Sequence, residues 1–143
     1  MSKIFEDDRY IDSVVNHIQH TIKLLKEYKM FFSIAVNKEA IDFNPPLPDD
    51  IISTFSPFTV LAVHNYTFDT LEVLDDTLVI EAGFGKENIG SVLTIPLGAI
   101  LQIIVDDMII LSNPSASFNK NFHSQKTISK NSFKQNPNNS RFF

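Results

Sequence analysis

The stretch TVLAVHNYTFDTLEVLDDTLVIEAGFGKENIGSVLTIPLGAILQIIVDD, Thr59 to Asp107, decides the fold. Short runs of Val, Ile, Leu and Thr recur along it, separated by residues that favour turns. Thr59 to His64 is β-rich. Thr67 to Leu74 and Thr77 to Ala82 are strand-like and meet at Asp75-Asp76, a pair suited to a tight turn. Gly83, Gly85 and Gly90 bracket a second hairpin loop, and Ser91 to Ile95 forms the strand after it. Pro96 opens one helical turn through Ile100, since proline is tolerated at a first helical position. Leu101 to Val105 is again strand-like, and Met108 to Leu111 pairs after a turn at Asp106-Asp107. No helical segment lies between these strands, so an antiparallel sheet is favoured over a βαβ architecture.

Working upstream, Ile11, Val15, Ile18, Ile22 and Leu25 recur at spacings of 4, 3, 4 and 3. This is the stripe of an amphipathic helix, predicted over 8–29 and widened by Val14 and Tyr28. Asp7, Asp8 and Asp12 lie toward its start and Lys23, Lys26 and Lys29 toward its end, which complements the helix dipole. The stripe has two uses: packing on the chain's own core, or forming a seam to a second copy, which its heptad-like spacing permits. Phe31 to Val36 reads as the first strand. Pro45, Pro46 and Pro48 make Asn44 to Pro48 an extended loop, and Asp49 to Phe55 suits a short helical turn. The predicted fold is α+β and mostly β: an N-terminal helix, then a small, strongly bent antiparallel sheet or partly open barrel over 31–111.

From Pro114 onward the apolar periodicity stops, and Asn, Ser and Lys dominate. Such a segment buries too little apolar area to offset its ordering entropy. The reading is one domain over 1–113 with a flexible tail over 114–143, closing on Ser140, Arg141, Phe142 and Phe143. Terminal aromatics are unusual on such a tail, because exposed Phe gains nothing from water.

The 143 residues suit one domain and contain no repeat; 43% are hydrophobic and 20% charged, the balance of a packed globular protein. There is no Cys, which excludes a disulfide framework, a thiolate metal site and a Cys nucleophile. The net charge of −5 is split: twelve basic residues less the five after Pro114 leave seven against seventeen acidic ones, a body of −10 beside a tail of +5. An acidic body disfavours broad nucleic-acid binding. The start carries Glu6, Asp7 and Asp8 where a secretory signal is basic and then apolar, and Leu93 to Leu111 is interrupted by Pro96, Gln102, Asp106 and Asp107. The expectation is a soluble, cytoplasmic protein.

No catalytic constellation emerges. His17 and His20 lie three apart on the helix, but no third ligand is placed by sequence. The pairs Asp49-Asp50, Asp75-Asp76 and Asp106-Asp107 read as turn residues, because neighbours on a strand point to opposite faces. Gly83-Phe84-Gly85 is too short for a phosphate loop, no nucleophile elbow is present, and His64 has no obvious nucleophile partner. The expectation is a non-enzymatic binding module with no cofactor.

Several features of the quoted stretch, in order, resemble the stringent starvation protein B family, the adaptors that bring ssrA-tagged proteins to the ClpXP protease. They are the strand with Val60, Leu61 and Val63; the hairpin with Leu71, Glu72, Val73, Asp75 and Asp76; the strand ending in Ala82-Gly83-Phe84-Gly85; and the segment Ile95-Pro96-Leu97 with Ala99 and Ile100. The resemblance covers about Ile11 to Asp107 and extends to the leading helix and the tail. It implies an Sm-like bent β fold and a homodimer made by the helix through Ile11, Val15, Ile18, Ile22 and Leu25. It implies a groove for an extended tag peptide, placed here at Ala82, Gly83, Phe84 and Gly85 with Ala62 and His64 on the neighbouring strand. It also implies a tail that docks on the ClpX unfoldase, carried by position onto Arg141, Phe142 and Phe143.

The physics is compatible with these implications: exposed strand holds an extended peptide by backbone hydrogen bonds, and small residues let it approach closely. The family often has Arg where this chain has Gly83, and its tail linker is often acidic where this one is basic. The competing readings are an Sm-like RNA binder, motivated by the β order and the basic, Phe-bearing tail, and, remotely, a small hydrolase.

Overall fold

Asp7 starts the long helix. Its backbone is extended, and its carboxylate accepts a hydrogen bond from the Arg9 backbone N–H at 2.8 Å, so one otherwise orphaned donor of the first turn is satisfied. In the computed structural model, which describes residues 3–118, helix α1 runs Asp8–Glu27. It ends where Lys29 takes φ 57, a left-handed position that lets the Lys29 and Met30 N–H groups reach back to the Lys26 and Leu25 carbonyls.

Ile18 and Ile22 have no exposed surface and Leu25 is buried. The stripe therefore faces the chain's own core, the first of the two uses its spacing allows, and the apolar area of Ile18, Ile22 and Leu25 is covered within one chain. Ile11 and Val15 remain half-buried at the edge of the same stripe. Polar bonds hold α1 against the chain on both sides of β4 (Glu72–Val73). Gln19 Nε2 donates to the carbonyls of Leu74 (3.3 Å) and Asp75 (2.8 Å), and Lys26 Nζ donates to the Leu71 carbonyl at 2.8 Å.

The remaining strands are β1 (Phe32–Asn37), β2 (Asp42–Asn44), β3 (Phe58–Val63), β5 (Thr77–Phe84), β6 (Ile89–Pro96), β7 (Ile100–Val105) and β8 (Met108–Ser112). They form two four-stranded antiparallel sheets, ordered β3-β1-β7-β8 and β2-β6-β5-β4. Among the described residues no strand of one sheet pairs with a strand of the other, so there is no closed barrel. Alternate residues supply the core: Phe32, Ile34 and Val36 from β1, Leu78 and Ile80 from β5, Leu93 and Ile95 from β6. Each fully buried side chain of this size contributes about 1.5–3 kcal/mol of transfer free energy.

The hairpins follow the expected turns. Asp106 and Asp107 both have positive φ (51 and 64), the pattern of a tight two-residue connection, and Asp tolerates it better than most side chains. Pro96 precedes a 3₁₀ turn, Leu97–Ala99. Asp49 and Asp50 open the short helix α2 (Asp49–Ile52).

Three segments differ from the sequence reading. Thr67 to Leu74 is not one strand: Asn65–Asp69 form the short helix α3, followed by the two-residue β4. The reason is visible in burial. Phe68 and Leu71, three apart, both turn inward, which a helical turn allows and a strand does not. Asn65 enters this turn with φ 52. The three-residue β2, just before the prolines, gave no pattern long enough to notice. Finally, Ser115–Phe118, assigned by sequence to the tail, form the helical turn α4. Ser115 Oγ donates to the Phe5 carbonyl at 2.6 Å, and the Phe5 and Phe118 rings stack at 5.5 Å.

Candidate functional site

The two central strands of the second sheet change character along their length. At the base, Leu78 pairs with Ile95 and Ile80 with Leu93, all buried. Toward the tip the pairs become Glu81 with Val92, Ala82 with Ser91 and Gly83 with Gly90. Two glycines sit directly opposite each other here, so neither strand contributes a side chain of its own at this pair.

The strands beside the tip also stop short. β4 pairs only with Val79 and Leu78, so β5 has no strand partner there from Ile80 on. Helix α3 takes that place: the Glu81 N–H donates to Thr70 Oγ1 at 2.9 Å, and the Tyr66 hydroxyl donates to Glu81 Oε1 at 3.1 Å. On the other side β2 ends at Asn44, opposite Val92, and the chain leaves through a cis Asn44-Pro45 peptide. The Pro45 carbonyl accepts a hydrogen bond from Ser91 Oγ at 2.9 Å. An open groove of about 650 Å³ results, with His64 to Thr67 along one side, residues 81–83 and 90–92 of the hairpin, and Asn44 and Pro45 along the other.

Its lining is polar and carries little charge. Asn44, Asn65 and Asn88 bring carboxamides that can both donate and accept; Glu81 is the one carboxylate, and no Lys or Arg takes part. The hydrogen bond to Glu81 raises the Tyr66 hydroxyl above the usual phenol range, because removing its proton would set a second negative charge beside the carboxylate. His64 is held in place by Phe31, whose ring stacks on it at 5.5 Å and 18° and in turn meets Phe68 at 5.2 Å.

The glycines are not equivalent. A Cβ at Gly90 would meet nothing within 4 Å, so that position opens on free space. A Cβ at Gly83 would collide with the Asn88 carboxamide, which lies over it. Gly85 has φ 75 and starts the turn that returns the chain to β6.

Of the residues expected from sequence, His64, Ala82 and Gly83 line the groove together. Ala62 is exposed on β3, two residues before His64, but outside the lining. Phe84 supports the hairpin from beneath, packing its ring against Phe43 (6.0 Å) and Phe55 (5.7 Å), and Gly85 belongs to the turn. Arg141, Phe142 and Phe143 lie outside the described residues.

Sequence reasoning missed Asn44, Asn65, Tyr66, Glu81 and Asn88. A strand reading of Thr67 to Leu74 hid the helical corner that presents Asn65 and Tyr66. The signal available was Gly90 itself, a second glycine spaced to face Gly83 across a short turn. His17 and His20 are exposed on α1, and among the described residues no group of three or more His, Asp or Glu converges as a metal site would require.

The fold and this site define a small α+β protein with an open, polar, cation-free groove over a glycine-paired hairpin. No protein-family model matches the chain, and no curated protein matches it. No described helix is long and apolar enough to cross a membrane.

Proposed function

We propose that this protein is a proteolytic adaptor: the groove holds an ssrA-type degradation-tag peptide, and the C-terminal tail brings the tagged protein to the ClpXP protease. The observation that carries this reading is the open groove at Ala82–Gly83, the segment whose sequence resembles the tag-binding region of the stringent starvation protein B family. A peptide laid along Gly90 approaches backbone over open space, with the Asn88 carboxamide beside it over Gly83. The carboxamides of Asn44, Asn65 and Asn88 offer donors and acceptors to its amides. The Sm-like description belongs to the same proposal, two bent sheets around one core with an open seam.

Under this reading the chain performs no chemistry. Two weak contacts, peptide in groove and tail on unfoldase, act through tethering, which raises the effective concentration of cargo toward millimolar. Arg141, Phe142 and Phe143 are the proposed docking end. A homodimer, which would offer two tails, meets through the outward side of α1, where Leu24 and Tyr28 are exposed, with Ile11 and Val15 at its edge. The cytoplasm is the compartment in which such tags arise. RNA binding is the less favoured alternative, since a groove without Lys or Arg has nothing to neutralise phosphates.

The test is a calorimetric titration of the full chain with the host's own ssrA peptide. Micromolar or tighter binding is expected; absence of heat and of competition overturns the reading. Deleting Ser140 to Phe143 is expected to leave peptide binding intact and to abolish accelerated degradation by ClpXP.

A further inference from the structure

The groove has an electrostatic asymmetry that the adaptor reading by itself does not use. Glu81 brings a full negative charge to the lining, and no cation is present there to offset it. Its side chain is held by one bond, from the Tyr66 hydroxyl to Oε1, while its backbone N–H is fixed by Thr70 Oγ1. A carboxylate has about four acceptor sites, so most of its capacity stays open to an incoming donor. Glu81 is exposed, and it lies two residues from Gly83 on the same strand.

We propose that Glu81 is the specificity-determining residue of the groove: it receives a Lys or Arg side chain of the bound peptide, and the preferred ligand is a segment cationic at that position. The proposal rests on the peptide-binding reading above and deepens it.

The physical reason is a difference between two ligands. A Lys or Arg here gains a charge-assisted hydrogen bond to a carboxylate already oriented by Tyr66 and Thr70. An Asp or Glu at the same place meets a like charge with no cation in the lining to relieve it. Selection by Glu81 thus combines attraction with rejection. The site is open to solvent, which limits the gain, so the expected discrimination is modest, about threefold to tenfold between Lys and Gln. Asp lies further in the unfavourable direction.

The experiment uses the full chain and the host's ssrA peptide as scaffold. Each position of the peptide is replaced in turn by Lys, Gln and Asp, and affinities are read by fluorescence anisotropy at low and at raised salt. One position is expected to show the order Lys, Gln, Asp from tightest to weakest, with the spread shrinking as salt is added. Glu81→Gln is expected to level the three affinities at that position and leave other positions unchanged, with the fold checked by circular dichroism.

If the scaffold peptide binds but no position shows the order, or if Glu81→Gln leaves the order intact, the charge-reading role is wrong while the peptide groove stands. If no peptide binds to the wild-type chain, the peptide groove falls, and the role of Glu81 falls with it.

Discussion

The two halves of the β5–β6 hairpin are one continuous ladder with opposite duties. At the base, Leu78, Ile80, Leu93 and Ile95 fill the core and are almost completely buried. At the tip, the same two strands carry a glycine facing a glycine, and the space beside them is groove. The backbone pairing is the same in both halves; the side chains decide the role. Where they are large and branched the hairpin holds the fold, and where they are absent it leaves room for something else. A recognition surface of this kind needs no special backbone, only a rigid base to hold a bare tip in place.

The comparison breaks most sharply at the base. Ile80→Ala removes a fully buried side chain of the core and is expected to cost about 2–5 kcal/mol. The thermal midpoint should fall by about 10 °C or more, as scanning calorimetry would show. At the tip, Gly90→Leu points a side chain into space that is empty within 4 Å. Stability should change by no more than about 0.5 kcal/mol, while titration should show peptide affinity reduced at least tenfold. If Gly90→Leu unfolds the chain, or binds peptide as the wild type does, the division between base and tip is wrong.

A smaller effect sharpens the contrast from outside the hairpin. Asn113, buried after β8, donates from Nδ2 to the carbonyls of Gly98 (3.2 Å) and Ile100 (3.0 Å). Asn113→Ala should cost about 1–2 kcal/mol in chemical denaturation and leave peptide affinity unchanged, because neither Asn113 nor its partners Gly98 and Ile100 line the groove.

The smallest effect is at the start of α1. Arg9 lowers Asp7 from 3.8 to about 2, first through the hydrogen bond to its side chain. A carboxyl whose folded value lies below its unfolded one favours the folded state fully above the unfolded value, and that contribution is lost as pH falls from about 4 toward 2. Both groups are exposed, so the expected result is fraying of the first helical turn, with an NMR titration midpoint for Asp7 near 2.

Much of the fold was legible because its signals are local and periodic. The 4-3-4-3 spacing from Ile11 to Leu25 specified α1 and its apolar stripe, and the Asp and Gly pairs marked the hairpin turns. The corner at Asn65–Asp69 was not legible, because five residues give too little periodicity to separate a helical turn from a strand once Phe68 and Leu71 are read with their β-favouring neighbours. The site was half legible. His64, Ala82 and Gly83 come from the stretch that resembles a known family, but Asn44, Tyr66 and Glu81 belong to three separate elements that nothing in their local sequence ties together.

By itself the sequence determined the helix, most of the strands, the acidic body and the absence of any Cys chemistry. These depend on composition and on spacings of a few residues, where steric and solvation preferences act directly. Only the tertiary structure decided that the helix stripe is spent on the chain's own core, that the strands divide into two sheets, and that Gly83 faces Gly90. Those outcomes depend on which distant surfaces meet, and contact across many residues is a property of the packed whole, set by the burial of every apolar face at once.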